Sequence, residues 1–178
     1  MKKRILLFSG VFFLFIGLTA SAQNATRPAP DKSKRPSPPA KVTETIKSGV
    51  TVSIEYSQPA LKGRVIGTEL APYGKVWRTG ANETTIFEVN KDVTIGGKTL
   101  PAGKYGLFTI PGEKQWVIIF NKTWDKWGTM YKEADDFLRI NAKPLKSKEM
   151  VEMMTFKIEK NGTVNLFWGN LRVGFTVK

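Results

Sequence analysis

The chain has 178 residues, no histidine, no cysteine and a formal charge of +13. The two missing residue types exclude Ser-His-Asp triads, thiolate nucleophiles, disulfides, His-ligated haem and zinc sites of the usual kind. Three positive charges lie in residues 2–4 and a net four in residues 24–41, which leaves +6 on residues 42–178; such a surface favours anionic neighbours, but the basic residues are scattered singly and a solvated surface explains them.

Lys2, Lys3 and Arg4 precede an apolar run from Ile5 to Leu18, and Ala20-Ser21-Ala22 supplies an A-x-A cleavage site. These are the three parts of a signal peptide, so residues 1–22 are expected to be removed after Ala22. The destination is the periplasm or the cell exterior, where nucleic acid is a poor fit as partner. The apolar run is shorter than the ~20 residues of a membrane span, so no stable span is expected after cleavage. Residues 23–41 are rich in Pro, Lys and Ser and hold no large apolar side chain before Lys41. Such a stretch buries too little to offset its ordering entropy, and it is read as a disordered, semi-stiff spacer.

From residue 42 the pattern changes to that of a single domain ending at residue 178. Val50, Val52, Ile54 and Tyr56 alternate with Thr51, Ser53 and Glu55, the period of a half-buried strand. Ser48-Gly49 would join it in a hairpin to an earlier strand over Lys41–Lys47. Further strands are predicted over Thr84–Asn90, Asp92–Ile95, Lys104–Ile110 and Gln115–Asn121, with Gly96-Gly97 and Pro111–Lys114 as turns. Trp116–Phe120 is apolar on both faces and belongs between other strands. Alternation returns at Leu138–Ala142, Met154–Ile158, Val164–Trp168 and Leu171–Val177, and Asn161-Gly162 marks a tight hairpin. At most one short helix is expected, near residues 130–136. The fold class is all-β: a single antiparallel β-sandwich or a partly closed barrel.

Two polar stretches interrupt the strands. "KVWRTGANETTI" (residues 75–86) sets Trp77, Arg78, Asn82 and Glu83 around Gly80. Two readings stand open. In one, Arg78 and Glu83 pair within a corner loop and Trp77 covers the core edge. In the other, Arg78 clamps a carboxylate or phosphate while Asn82 and Glu83 bond hydroxyls. "NKTWDKWG" (residues 121–128) adds Trp124 and Trp127, whose rings either plug the end of the sandwich or stack on a ligand. Asp135-Asp136, near Glu133 and Asn121, lacks the spacing of an EF-hand loop and reads as a solvated acidic turn. No phosphate-cradling glycine loop is present either, and neither a cofactor nor a metal is expected.

The blocks "YSQPALKGRVIG", "LAPYGKVWRTGANETT", "KTLPAGKYGLFTIPGEKQWVIIFNK", "YKEADDFLRINAKP" and "LFWGNLRVGFTV" resemble the domain of unknown function family numbered 2911. The resemblance runs from Lys41 to the C-terminus. It implies an exported, β-rich single domain and carries no activity or catalytic residues. The leading expectation is therefore a non-catalytic binding module for a glycan or small anionic molecule, using Trp77, Arg78, Asn82, Glu83, Trp124 and Trp127. The alternatives are a hydrolase using Glu83 with Asp125 or Asp136, held at glycosidase spacing, and a structural envelope protein without a small ligand. Oligomeric state does not follow from the sequence.

Overall fold

A computed structural model describes residues 31–178. The predicted signal peptide and the first part of the spacer lie outside the described residues. The described chain is all-β, with ten strands: β1 (Pro39–Thr45), β2 (Thr51–Ser57), β3 (Ile86–Val89), β4 (Val93–Ile95), β5 (Lys98–Leu100), β6 (Gly103–Ile110), β7 (Trp116–Asn121), β8 (Asp136–Ala142), β9 (Leu145–Ile158) and β10 (Thr163–Thr176). They form a six-stranded antiparallel sheet in the order β1-β2-β3-β6-β7-β8, a long β9–β10 ribbon and a small β4–β5 hairpin. The sheets do not close into a barrel. Helical structure is confined to single 3-10 turns at Lys32–Lys34 and Glu133–Asp135, the second inside the stretch where one short helix was expected.

The core lies between the six-stranded sheet and the ribbon. Val52, Ile54 and Tyr56 of β2 point inward, as their alternation predicts, and meet Phe156, Ile158, Val164 and Leu166 from the ribbon. The Tyr56 and Phe156 rings meet edge-on at 5.0 Å. The Tyr56 hydroxyl accepts a hydrogen bond from the Phe156 backbone N–H at 3.0 Å, tying the layers where water is excluded. Phe87, Phe120 and Phe175 form a second cluster with centroids 5.0–5.8 Å apart. Each such buried side chain contributes roughly 1.5–3 kcal/mol relative to exposure.

Strand β7 is covered on both faces, as its unbroken apolar run requires. Ile118 and Phe120 enter the core, whereas Ile119 and its cross-strand neighbour Phe108 are buried on the far side of the sheet. The segment after β7 folds back over that side, with Tyr131 5.0 Å from Phe108.

The even-numbered apolar positions 164–168 give way to odd-numbered positions from 171 to 177. Rather than separating two strands, this phase change is absorbed within β10. Gly169 has φ +57 and the register against β9 shifts on both sides of it. A bulge lets one strand turn its other side chains inward without breaking the ribbon. Strand β1 opens at Pro39, inside the stretch assigned to the spacer by composition, because Ala40 and Val42 pack on the core. Proline is tolerated there as the first residue of an edge strand.

Candidate functional site

The stretch 75–86 is an excursion out of a strand ladder. Trp77 exchanges two backbone hydrogen bonds with Thr109 of β6, each 2.8 Å, and the Leu107 N–H donates to Thr85 O at 2.7 Å. The chain between Trp77 and Thr85 thus leaves the sheet and returns one step along β6. Three threonines close its neck. The Thr79 hydroxyl bonds the Thr109 hydroxyl at 3.1 Å, and the Thr85 hydroxyl donates to Thr79 O at 3.0 Å. The tight path forces Thr79 and Asn82 to φ +51 and +58. That region is costly for side chains with a Cβ, and most of all for a β-branched one.

The loop presents two sides. On one, Asn82 donates its amide to Ser37 O at 3.1 Å, and Glu83 binds Arg35 through both carboxylate oxygens at 2.9 Å. Lys32 adds a 3.0 Å ion pair to Glu83. Burial alone would raise the Glu83 carboxyl, but hydrogen bonds from Arg35 and Lys32 outweigh it and hold the group down at about 2. Residues 32–37 therefore dock on this side, and Glu83 pairs with Arg35 and Lys32 rather than with Arg78.

On the other side stands Arg78. It has no ion pair or side-chain hydrogen bond among the described residues, and its Nε is buried without an acceptor. Burial pushes the guanidinium pKa down, which marks a charge partly stripped of water. Its aliphatic stem lies on Gly128. A Cβ there would stand 2.1 Å from Arg78 Cδ and 3.0 Å from Asn82 O, so only glycine admits this approach. Trp77 is clamped beneath, stacked on Trp168 at 5.5 Å and edge-on to Trp116 at 6.2 Å, with its indole N–H donated to Gly80 O at 3.1 Å. Val76, Trp77, Arg78, Gly128, Thr129 and Tyr131 line an open cavity of about 330 Å³.

The second polar stretch packs beside the first. Thr84 donates its hydroxyl to Lys126 O at 2.7 Å, and Glu83 and Trp127 form a backbone bridge. The Trp124 and Trp127 side chains stay 36 % and 48 % exposed, so their rings do not plug the sandwich. The Lys104 ammonium sits 5.1 Å from the Trp124 ring. Neither ring lines the Arg78 cavity. Behind it, Asp136 accepts from Asn121 at 2.8 Å, Tyr131 at 2.8 Å and Arg139 at 2.6 Å. Burial and the Asp136 contact push the Tyr131 hydroxyl up to about 12, so it stays neutral and fixed. Asp125 pairs with Lys126 at 3.5 Å. No group of three or more acidic residues able to hold a metal ion occurs among the described residues.

The sequence pointed to Trp77 and Arg78 but not to Thr129 or Tyr131. Gly128 was visible only as the glycine closing "NKTWDKWG", with nothing to show that an arginine stem crosses it.

Fold and site together define an all-β, two-layer domain with a half-buried arginine, unpartnered among the described residues, carried on a loop pinned to the sheet. The family model described as "Protein of unknown function (DUF2911)" matches residues 37–177, and the chain belongs to this family. Searches of curated proteins and of solved structures return no significant match.

Proposed function

We propose that this protein is an exported, non-catalytic binding module whose ligand offers a carboxylate or phosphate group to Arg78. The observation that carries the reading is the buried Arg78 Nε with no acceptor, beside a cavity of about 330 Å³. A desolvated charge without a partner is unfavourable, and an arriving anion offsets that penalty. The planar guanidinium suits two-point contact with such a group. The stacked Trp77 wall and the Tyr131 network fix the surroundings, so little ordering is left for binding. Export rests on the N-terminal leader pattern. In this reading Asn82 and Glu83 hold the loop through residues 32–37, and the exposed rings of Trp124 and Trp127 are available to the distal part of a larger ligand such as an acidic glycan.

The hydrolase alternative gains no comparable support. Both Glu83 carboxylate oxygens are taken by Arg35, Asp136 is occupied by Arg139, Tyr131 and Asn121, and Asp125 pairs with Lys126.

The experiment is a thermal-shift screen against phosphate, citrate, uronic acids and acidic envelope glycans. A ligand at a hundred times its dissociation constant stabilises by about 2.7 kcal/mol. Arg78→Met keeps the aliphatic stem on Gly128 and should abolish the shift. A wild type unmoved by every anion, or a variant that responds equally, ends the reading.

A further inference from the structure

We infer that the outer face of the β9–β10 ribbon is a docking surface for an anionic lipid bilayer, separate from the Arg78 cavity. Phe156, Ile158, Val164 and Leu166 turn into the core, which leaves Thr155, Lys157 and Phe167 on the solvent side. Past them the pairing becomes irregular. Phe167 opposes Thr155, Gly169 opposes Val151, and Leu171 opposes Lys146, so β9 carries surplus residues that bulge from the ladder. This bulge walls a groove of about 450 Å³ into which Lys146, Lys148, Lys157 and Arg172 converge. The one carboxylate lining it is Glu149.

None of the four cations has an ion pair among the described residues. Some lysines elsewhere meet carboxylates, as Lys41 does Glu55, Lys104 Glu88 and Lys160 Glu44, and others do not; what sets the groove apart is four cations around the single carboxylate Glu149. The groove is therefore a local excess of unneutralised positive charge. Lys157 lies 5.3 Å from the Phe167 ring, which draws its head group over the groove floor. Two exposed apolar residues adjoin the lining residues along β9: Leu145, 43 % exposed and cross-strand from Arg172, and Met150, 63 % exposed and next to Glu149. A soluble polyanion gains nothing from them. A bilayer does, because lysines reach the headgroup phosphates while Leu145 and Met150 enter the boundary with the acyl chains.

The test is co-sedimentation with vesicles of phosphatidylcholine alone and of phosphatidylcholine mixed with phosphatidylglycerol. Wild type and variants carry the same N-terminus, so its contribution cancels. The expected result is binding to the anionic vesicles that weakens with added salt. Each lysine near the surface is worth about fivefold, so Lys146→Gln with Lys148→Gln should lose roughly 25-fold. Met150→Ser should weaken binding further while leaving its salt dependence in place. All these positions are exposed or outward-facing, and a retained thermal transition confirms folding. Equal binding to neutral vesicles, or wild-type affinity in the double variant, overturns the assignment. So does a groove that binds soluble polygalacturonate, lost in the double variant, while vesicles are ignored. Arg78→Met must leave vesicle binding unchanged, which separates failure here from failure at the arginine cavity.

Discussion

Glu83 links the strained loop to residues 32–37, and its charge gives that link a defined pH window. The carboxylate takes Arg35 at 2.9 Å and Lys32 at 3.0 Å, and its pKa falls from 4.5 to about 2 on folding. Because the folded value is the lower one, the unfolded state binds the proton more readily. The stabilisation is therefore complete above the unfolded pKa and is lost as pH falls toward the folded one. Taken at face value, the difference corresponds to a ceiling of about 3 kcal/mol. The Glu83 side chain is 37 % exposed, however, so solvent screening reduces this to about 1 kcal/mol. Glu83→Gln keeps the shape and loses the charge. Urea denaturation at stepped pH should show the variant about 1 kcal/mol less stable at neutrality. The gap should narrow below pH 4.5 and close near 2. A gap independent of pH, or none at neutrality, refutes the argument that charge pins this segment.

Other positions give independent checks. Arg78→Met, measured without ligand by thermal melting, should be neutral or stabilising by about 1 kcal/mol, because it removes a buried donor without an acceptor; a clear loss would mean the guanidinium is bonded. Gly128→Ala should destabilise by roughly 1–3 kcal/mol through overpacking against the Arg78 stem. Combining it with Arg78→Ala should recover part of that loss in a double-mutant cycle, since the 2.1 Å approach to Cδ disappears while the 3.0 Å approaches to the residue 78 Cβ and to Asn82 O remain. Tyr56→Phe leaves the Phe156 N–H buried without its acceptor and should cost about 1–3 kcal/mol in urea melts.

Most strands were legible because they turn one set of alternate side chains to the core, and period-two alternation records that directly at Val52, Ile54 and Tyr56. The two-faced burial of β7 was legible from the opposite signal, the unbroken apolar run Trp116–Phe120. What covers its far face was not: Tyr131 reaches Phe108 from a loop with no periodicity. At the site, composition marked Arg78 and Glu83 as an opposite pair, and either could have satisfied the other. Which partner Glu83 takes depends on where residues 32–37 return in space, and a Pro- and Lys-rich stretch gives no pattern from which to read that. Its charges, counted as those of a spacer, include the two that hold Glu83.

The loop at 78–84 combines two unfavourable features that a simple sheet connection would avoid. A buried threonine sits at φ +51, and a half-buried guanidinium keeps Nε without an acceptor among the described residues. Strain of the first kind costs of order 1–3 kcal/mol and persists only where surrounding contacts overrule it. Here those contacts are the three threonine hydroxyls, the Trp77–Trp168 stack and the Glu83 ion pairs, none of which engages the Arg78 guanidinium. The acid nearest in sequence, Glu83, is drawn away to the opposite side of the loop, and that removes the most accessible intramolecular counterion. A loop whose task was only to close the sheet could relax Thr79 to ordinary backbone and let Arg78 reach Glu83, gaining stability by both changes. That the fold does neither is the physical reason for proposing that Arg78 receives an anion.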